Sequence, residues 1–290
     1  MSIHIPQFDP DLYKQTTRKQ WDCAAEAWYR WSPLLSRWLG PATEAMLDRC
    51  QLEPGCRILD VAAGAGEQSL AAARRVGPSG EVLATDISAN ILTFAAQSAK
   101  RAGLDDVIRT QVVDGEALDT LEAPPFDAVI SRVGLIYFPD QIKALDGMKQ
   151  QLKPGGRIAA MVYSTAEKNA FFSIPVSIIR QRAHLPPPLP GQPGPFSLGG
   201  EGALEALFEH AGLTHIEVER IDAPVRLDSA AECLQFEQES FGALHQMMTG
   251  MSAVEQDETW EDIETALKQF ELDGQFSGPC EMLVAVGTKP

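Results

Sequence analysis

Between residues 56 and 163 the sequence alternates short apolar runs with amphipathic ones, and this alternation restricts the possible folds more than any other feature. CRILDVA (56–62), EVLATD (81–86), DVIRTQVVD (106–114), FDAVISRV (126–133) and GRIAAMVY (156–163) read as strands. GEQSLAAARRV (66–76), ISANILTFAAQSAKRA (87–102) and residues 139–151 read as helices. Strands this uniformly apolar are buried on both faces, and helical connections between them keep successive strands parallel. The pattern therefore predicts an α/β fold with a doubly wound, mostly parallel sheet.

The flanks read differently. Residues 10–53 have helical character and hold four of the five tryptophans, Trp21, Trp28, Trp31 and Trp38. Their spacing places them on one helical face, which Pro33 interrupts or kinks. Such a stripe is either a core face or the apolar wall of a helical cover over a ligand. Beyond the alternating region, PPPLPGQPGP (186–195) holds six prolines and reads as a connecting loop. EGALEALFEHAG (201–212) reads as a helix, LTHIEVERI (213–221) as a strand and CEMLVAVGTK (280–289) as a final strand. The 223–279 segment between those two strands reads as helical, with Trp260, Ile263, Leu267 and Phe270 at helical spacing.

Charge separates the same regions. The 290 residues carry 24 Lys+Arg and 40 Asp+Glu, a net charge of −16. Residues 1–182 hold 20 basic and 21 acidic side chains, close to neutrality, whereas 223–279 holds 2 basic and 12 acidic, a net of −10. An acidic chain argues against general nucleic-acid binding, which needs clustered cations. The acids of that segment read either as a solvated exterior that aids solubility or as a field favouring neutral or cationic acceptors over polyanions. Five cysteines without a C-x-x-C predict neither a disulfide framework nor a metal site, and fit a reducing compartment. MSIHIPQFDP lacks the features of a secretory signal, and no apolar run reaches membrane-spanning length. The expectation is a cytoplasmic protein without a membrane span; oligomeric state is left open.

The chemistry concentrates at the carboxyl ends of the first strands. ILDVAAGAGEQSL (58–70) delivers Asp60 to a turn through Gly64 and Gly66 that enters a helix. Asp86 ends the second strand, 20 residues beyond Gly66. A carboxylate there can accept from both hydroxyls of a ribose, although it would also serve as a helix N-cap. A dinucleotide fingerprint would need glycine where Ser69 stands, and no G-K-[ST] of a P-loop occurs. Asp60 and Glu67 near the helix start suit a cationic ligand better than a pyrophosphate.

Taken together, these segments resemble the class I S-adenosylmethionine-dependent methyltransferases, over roughly residues 20–220 plus the last strand. The similarity is to the ubiquinone/menaquinone biosynthesis C-methyltransferase-like branch, with Ala62 in place of the usual first glycine of ILDVAAGAG. TDIS supplies the ribose acid Asp86 and Ile87 against adenine. VVDGEAL (112–118) resembles the third motif, with Asp114 at the adenine amino group and Gly115 and Glu116 at the ring. FDAVISRVGLIYFPD (126–140), which contains Ser131, resembles the fourth, and LKPGGRIA (152–159) the fifth. AEAWYRW (25–31) places Trp28 over the methionine end of the cofactor, where many relatives have tyrosine.

The resemblance implies S-adenosylmethionine as cofactor, a Rossmann-like sheet with an antiparallel last strand, and in-line methyl transfer to an O, N, S or C nucleophile of a small-molecule acceptor. Tyr29, Arg132 and Tyr137 are candidate acceptor-pocket residues. None of His4, His184, His210, His215 and His245 stands out as a base, and no catalytic residue is assigned. The expected organisation is an N-terminal helical cover (1–53), a cofactor domain (54–222 and 280–290) and an acidic helical lid (223–279). Alternative readings are a catalytically silent S-adenosylmethionine-binding partner or sensor, and a nucleotide-dependent oxidoreductase.

Overall fold

The computed structural model describes residues 8–189 and 192–290. Helices α1 (Pro10–Arg30) and α2 (Ser32–Arg49) precede the alternating region. Asp9 caps α1, its side chain accepting from Leu12 N at 3.0 Å. The single interrupted helix read from the sequence is thus two helices. The chain breaks at Trp31, and Pro33 falls in the first turn of α2, where a missing N–H costs nothing.

The alternation then unfolds as read: β1 (Arg57–Val61), α3 (Glu67–Val76), β2 (Glu81–Asp86), α4 (Ala89–Ala102) and β3 (Ile108–Val112). They are followed by β4 (Phe126–Arg132), α5 (Gln141–Gln151) and β5 (Leu152–Tyr163). Helix α6 (Ala170–Arg182), the proline-rich connection, α7 (Ala203–His210) and β6 (Thr214–Asp222) lead to the insertion. The last strand is β10 (Glu281–Thr288).

The main sheet has the order β3-β2-β1-β4-β5-β10-β6, with β10 antiparallel to both neighbours. Strand order reverses beside β1, which pairs with both β2 and β4. A crevice therefore opens at the carboxyl ends of these strands, where doubly wound sheets bind ligands. The β1 side chains are almost wholly buried, as expected of a parallel strand covered on both faces.

The insertion is not wholly helical. It contains β7 (Val225–Leu227), α8 (Ala230–Ser240), α9 (Gly242–Met247), α10 (Ala253–Leu267), β8 (Glu271–Leu272) and β9 (Gln275–Gly278). The three short strands form a separate antiparallel sheet, order β7-β9-β8. Such strands are too short to show an alternation that periodicity could detect. Helices α8 and α9 pack on α1, and α10 packs on α6 and α8, so the insertion covers the crevice together with the N-terminal helices. Among the described residues no helix is long and apolar enough to cross a membrane, and all five cysteines are free.

Candidate cofactor and acceptor site

The turn after β1 is the centre of the site. Ala62 adopts φ +60°, a left-handed conformation that normally favours glycine. Its Cβ needs room, and Gly134 provides it. A Cβ on Gly134 would stand 2.6 Å from both the Ala62 Cβ and Ser131 Oγ. Gly66, at φ +92°, passes Ala95 so closely that an added Cβ would stand 3.1 Å from the Ala95 side chain. The loop thus delivers Ala62, Ala63 and Gly64 to a cavity at the sheet crevice.

Asp86 lines that cavity and is 8% exposed. One carboxylate oxygen accepts from Gly64 N at 3.0 Å and the other from Ser88 N at 2.9 Å. Burial pushes its carboxyl up to about 6, although the backbone N–H groups that bond it act in the opposite direction. Ile87, Asp114 and Gly115 line the same cavity. The Phe138 ring covers Gly115, since a Cβ there would lie 2.5 Å from the ring. Arg132 forms another part of the wall. It is buried, donating to Glu67 at 3.2 Å and to Thr43 Oγ1 at 3.3 Å, and burial lowers its guanidinium pKa. Trp28 lies across the opening, edge-on to Trp21 at 5.3 Å and stacked on Phe236 at 6.4 Å.

Several expected residues stand behind the wall rather than on it. Asp60 is fully buried and holds the loop, accepting from Ser69 Oγ at 2.5 Å and Gln68 Nε2 at 3.2 Å. Burial pushes its carboxyl up to about 7. Ser69, the residue that breaks the dinucleotide fingerprint, is therefore the partner of that carboxylate. Gly66 and Ser131 also lie outside the lining; the Ser131 hydroxyl is buried without a partner among the described residues. Glu116 sits one layer out, accepting from Asp140 N at 2.9 Å and from Lys14 at 2.7 Å. Tyr29 is turned away onto Phe94, centroids 5.0 Å apart, with Arg101 over its other side. This corrects its expected place in the acceptor pocket: on α1 it points a quarter-turn from its neighbour Trp28.

Residues that the sequence did not single out complete the wall. Lys14 reaches from α1 to Asp114 at 2.8 Å and Glu116 at 2.7 Å, a contact spanning about a hundred residues that no local pattern signals. Gln68, Val113, Tyr163 and Phe241 also line the cavity. Gln68, Val113 and Tyr163 lay within quoted segments and Phe241 within the 223–279 insertion, but nothing in the sequence showed that they meet at one wall.

A second, larger cavity of about 600 Å³ lies beneath the lid. Thr17, Trp21, Tyr137 and Phe241 line both cavities and form the partition between them. The rest of the second wall is largely apolar, including Phe172, Val176, Phe196, Leu244 and Met247. Tyr137, expected in the acceptor pocket, borders both cavities, whereas Arg132 lines the first cavity alone. No histidine lines either cavity among the described residues. His184, His210, His215 and His245 are exposed, and His4 lies outside the described residues.

A strained turn after β1, a carboxylate ending β2 and an acid–glycine pair after β3 thus gather at the crevice of a doubly wound sheet. Comparison with known proteins places this arrangement in a family. A methyltransferase-domain family matches residues 52–184. A demethylmenaquinone methyltransferase of Bacillus cytotoxicus is 30% identical over 181 residues, covering 58% of this chain and 73% of its own length. A ubiquinone/menaquinone biosynthesis C-methyltransferase, UbiE, of Bordetella parapertussis is 35% identical over 122 residues, covering 42% of this chain. The chain spans only 46% of that relative's length. Among solved structures, the YcgJ protein of Bacillus subtilis superposes with a TM-score of 0.57 at 19% identity, over 86% of this chain and 98% of its own. The chain belongs to the class I S-adenosylmethionine-dependent methyltransferases, and S-adenosylmethionine is its cofactor. The lining fits that molecule: Asp86 presents a carboxylate, Gly64 leaves the backbone open, and Ile87, Val113 and Phe138 offer apolar surface for a flat base.

Proposed function

We propose that this protein transfers the methyl group of S-adenosylmethionine to a small organic acceptor seated in the chamber beneath the lid. The observation that carries this reading is the shared partition: Thr17, Trp21, Tyr137 and Phe241 border both cavities, so a molecule in each meets at one wall. When bound, S-adenosylmethionine supplies an electrophilic methyl carbon on a positively charged sulfur. The chain contributes positioning and exclusion of water, effects that by themselves account for much of a displacement reaction's acceleration.

Among the described residues, the acceptor chamber has no histidine, carboxylate, lysine or cysteine in its wall. Burial raises the Tyr137 phenol above its ordinary pKa, so it stays protonated and can donate a hydrogen bond to an acceptor oxygen. An acceptor here therefore has to provide its own nucleophile, as a phenol or quinol does. Relatives that bear quinone-pathway methyltransferase names are consistent with that chemistry. A chamber of about 600 Å³ suits a small molecule rather than nucleic acid, and five free cysteines fit action in the reducing cytoplasm.

The test is a panel of phenols, quinols, amines and thiols assayed for S-adenosylhomocysteine release. Release with phenols or quinols is expected. Tight S-adenosylmethionine binding with no release from any compound, and a protein recovered in pull-down, would replace this reading with a silent binding partner.

A further inference from the structure

The wall of the acceptor chamber carries one formal charge, Arg180 on α6. Its Nη2 is buried and has no hydrogen-bond partner among the described residues. It makes no salt bridge there either, and none of residues 1–7, 190 and 191 is acidic. Arg182, two positions along the same helix, behaves in the opposite way. It turns outward to Asp262 and Glu258 of α10, donating to Asp262 at 2.8 Å and Glu258 at 3.3 Å. The acids of the lid that lie near α6 are thus paired with Arg182 on the outside. Ser240, 1% exposed on α8, also lines the chamber with its hydroxyl unpartnered.

A buried guanidinium N–H without an acceptor is costly, and a ligand that supplies one recovers that cost. Arg180 lines only the outer chamber and is absent from the cofactor cavity. A group that pairs with Arg180 therefore belongs to the molecule in the outer chamber and not to the cofactor. A single cation among apolar side chains matches a monoanion better than a phosphate dianion.

We propose, building on the methyl-transfer reading, that the chamber selects acceptors with an apolar body and a carboxylate at the end remote from the methylated atom, and that Arg180 receives this carboxylate. Ser240, which also lines the chamber, has an unpartnered hydroxyl to offer the acceptor. Binding energy from this remote group holds the acceptor in line without touching the reacting atoms. The acidic exterior of the lid does not set the preference, because Arg180 is the one side chain of formal charge among the described residues of the wall.

The test uses three probes of one shape, 6-phenylhexanoate, its primary amide and 6-phenylhexylamine, titrated against the full chain loaded with S-adenosylhomocysteine. Trp21 fluorescence reports occupancy. The carboxylate is expected to bind about tenfold or more tightly than the amide, and the amine least. Arg180→Met should erase the difference between carboxylate and amide, and Arg180→Lys should keep part of it. S-adenosylmethionine affinity, measured on each variant, should be unchanged and confirms that the fold is intact. Equal binding of acid and amide, no binding of any probe, or a preference that survives Arg180→Met would overturn the proposal. Absence of S-adenosylmethionine binding in the unaltered protein would instead remove the methyl-transfer reading itself.

Discussion

The two cavities meet at one partition yet are built on opposite principles. The cofactor cavity is lined by charged groups, Asp86, Asp114, Lys14 and Arg132, and each is engaged by a neighbour. The acceptor chamber is nearly featureless by comparison, with one unengaged cation in an apolar wall. The first cavity is thus shaped by the sheet and the turns at its carboxyl edge, and the second by side chains gathered from α1, α6, the proline-rich connection and the insertion.

The contrast is broken most severely at Asp86. Asp86→Ala should weaken S-adenosylmethionine binding on the order of a hundredfold, as two charge-assisted hydrogen bonds are lost, while leaving probe binding in the acceptor chamber within a factor of a few. Titration calorimetry with each ligand separates the two. A collapse of both would mean that the cavities do not form independently.

Acidity should divide the cavities next. Ribose hydroxyls donate to the charged form of Asp86, whose carboxyl burial raises to about 6. S-adenosylmethionine affinity is therefore expected to fall about tenfold per pH unit below that value. Stability should move the opposite way. A buried acid with a raised folded pKa contributes stability that is fully present below its unfolded pKa of about 4 and is lost as pH rises through its folded value. For Asp86 and Asp60 that loss runs up to about 6 and about 7. Asp86→Asn should remove the affinity slope and the Asp86 share of the stability slope, leaving that of Asp60, seen in affinities and denaturation midpoints between about pH 4 and about pH 7. Unchanged slopes would show that Asp86 does not titrate there.

Lys14 offers a smaller and more local break. The ammonium and Asp114 are each about a quarter exposed, although Glu116 is buried, and solvent screening limits the worth of the bridges to about 1 kcal/mol. Lys14→Met should lower cofactor affinity about threefold and speed amide exchange in the first turns of α1, with the affinity difference shrinking at high salt. Smallest is Ala62→Gly. Removing the positive-φ strain at Ala62 is partly offset by greater freedom of the unfolded chain, so a gain of under about 1 kcal/mol is expected in chemical denaturation. A large loss would instead show that the Ala62 Cβ packs against Gly134 to advantage.

Much of the cofactor half could be read before the fold was known. Strands with no polar face announce themselves as a parallel sheet, and the acids Asp86 and Asp114 sit at strand ends where the chain must turn. Strand β2 even occupies the expected bounds, 81–86. What escaped were contacts made at long separation. Lys14 meets Asp114 only because α1 is laid over α4. Asp60 carries the same letter as a ligand-binding acid, but Ser69 and Gln68 draw it behind the loop. The lid was legible as an insertion and as a charge anomaly, while its small sheet and its chamber were not. Strands of two to four residues carry no periodic signal, and a cavity belongs to several segments at once.

The root of the insertion gives the lid an independence of its own. Ala223 N donates to Cys280 O at 2.9 Å, directly beyond the paired ends of β6 and β10. Fifty-odd residues leave the sheet and return to it at a single rung, so the strands beneath would close equally well over a short hairpin. Because the entropy of closing a loop grows only slowly with its length, the ladder is almost indifferent to what is hung from it. The insertion therefore hangs from the sheet by one rung, and what holds it over the crevice is its packing on α1 and α6 and the aromatic contacts of Phe236 and Phe241 with Trp28.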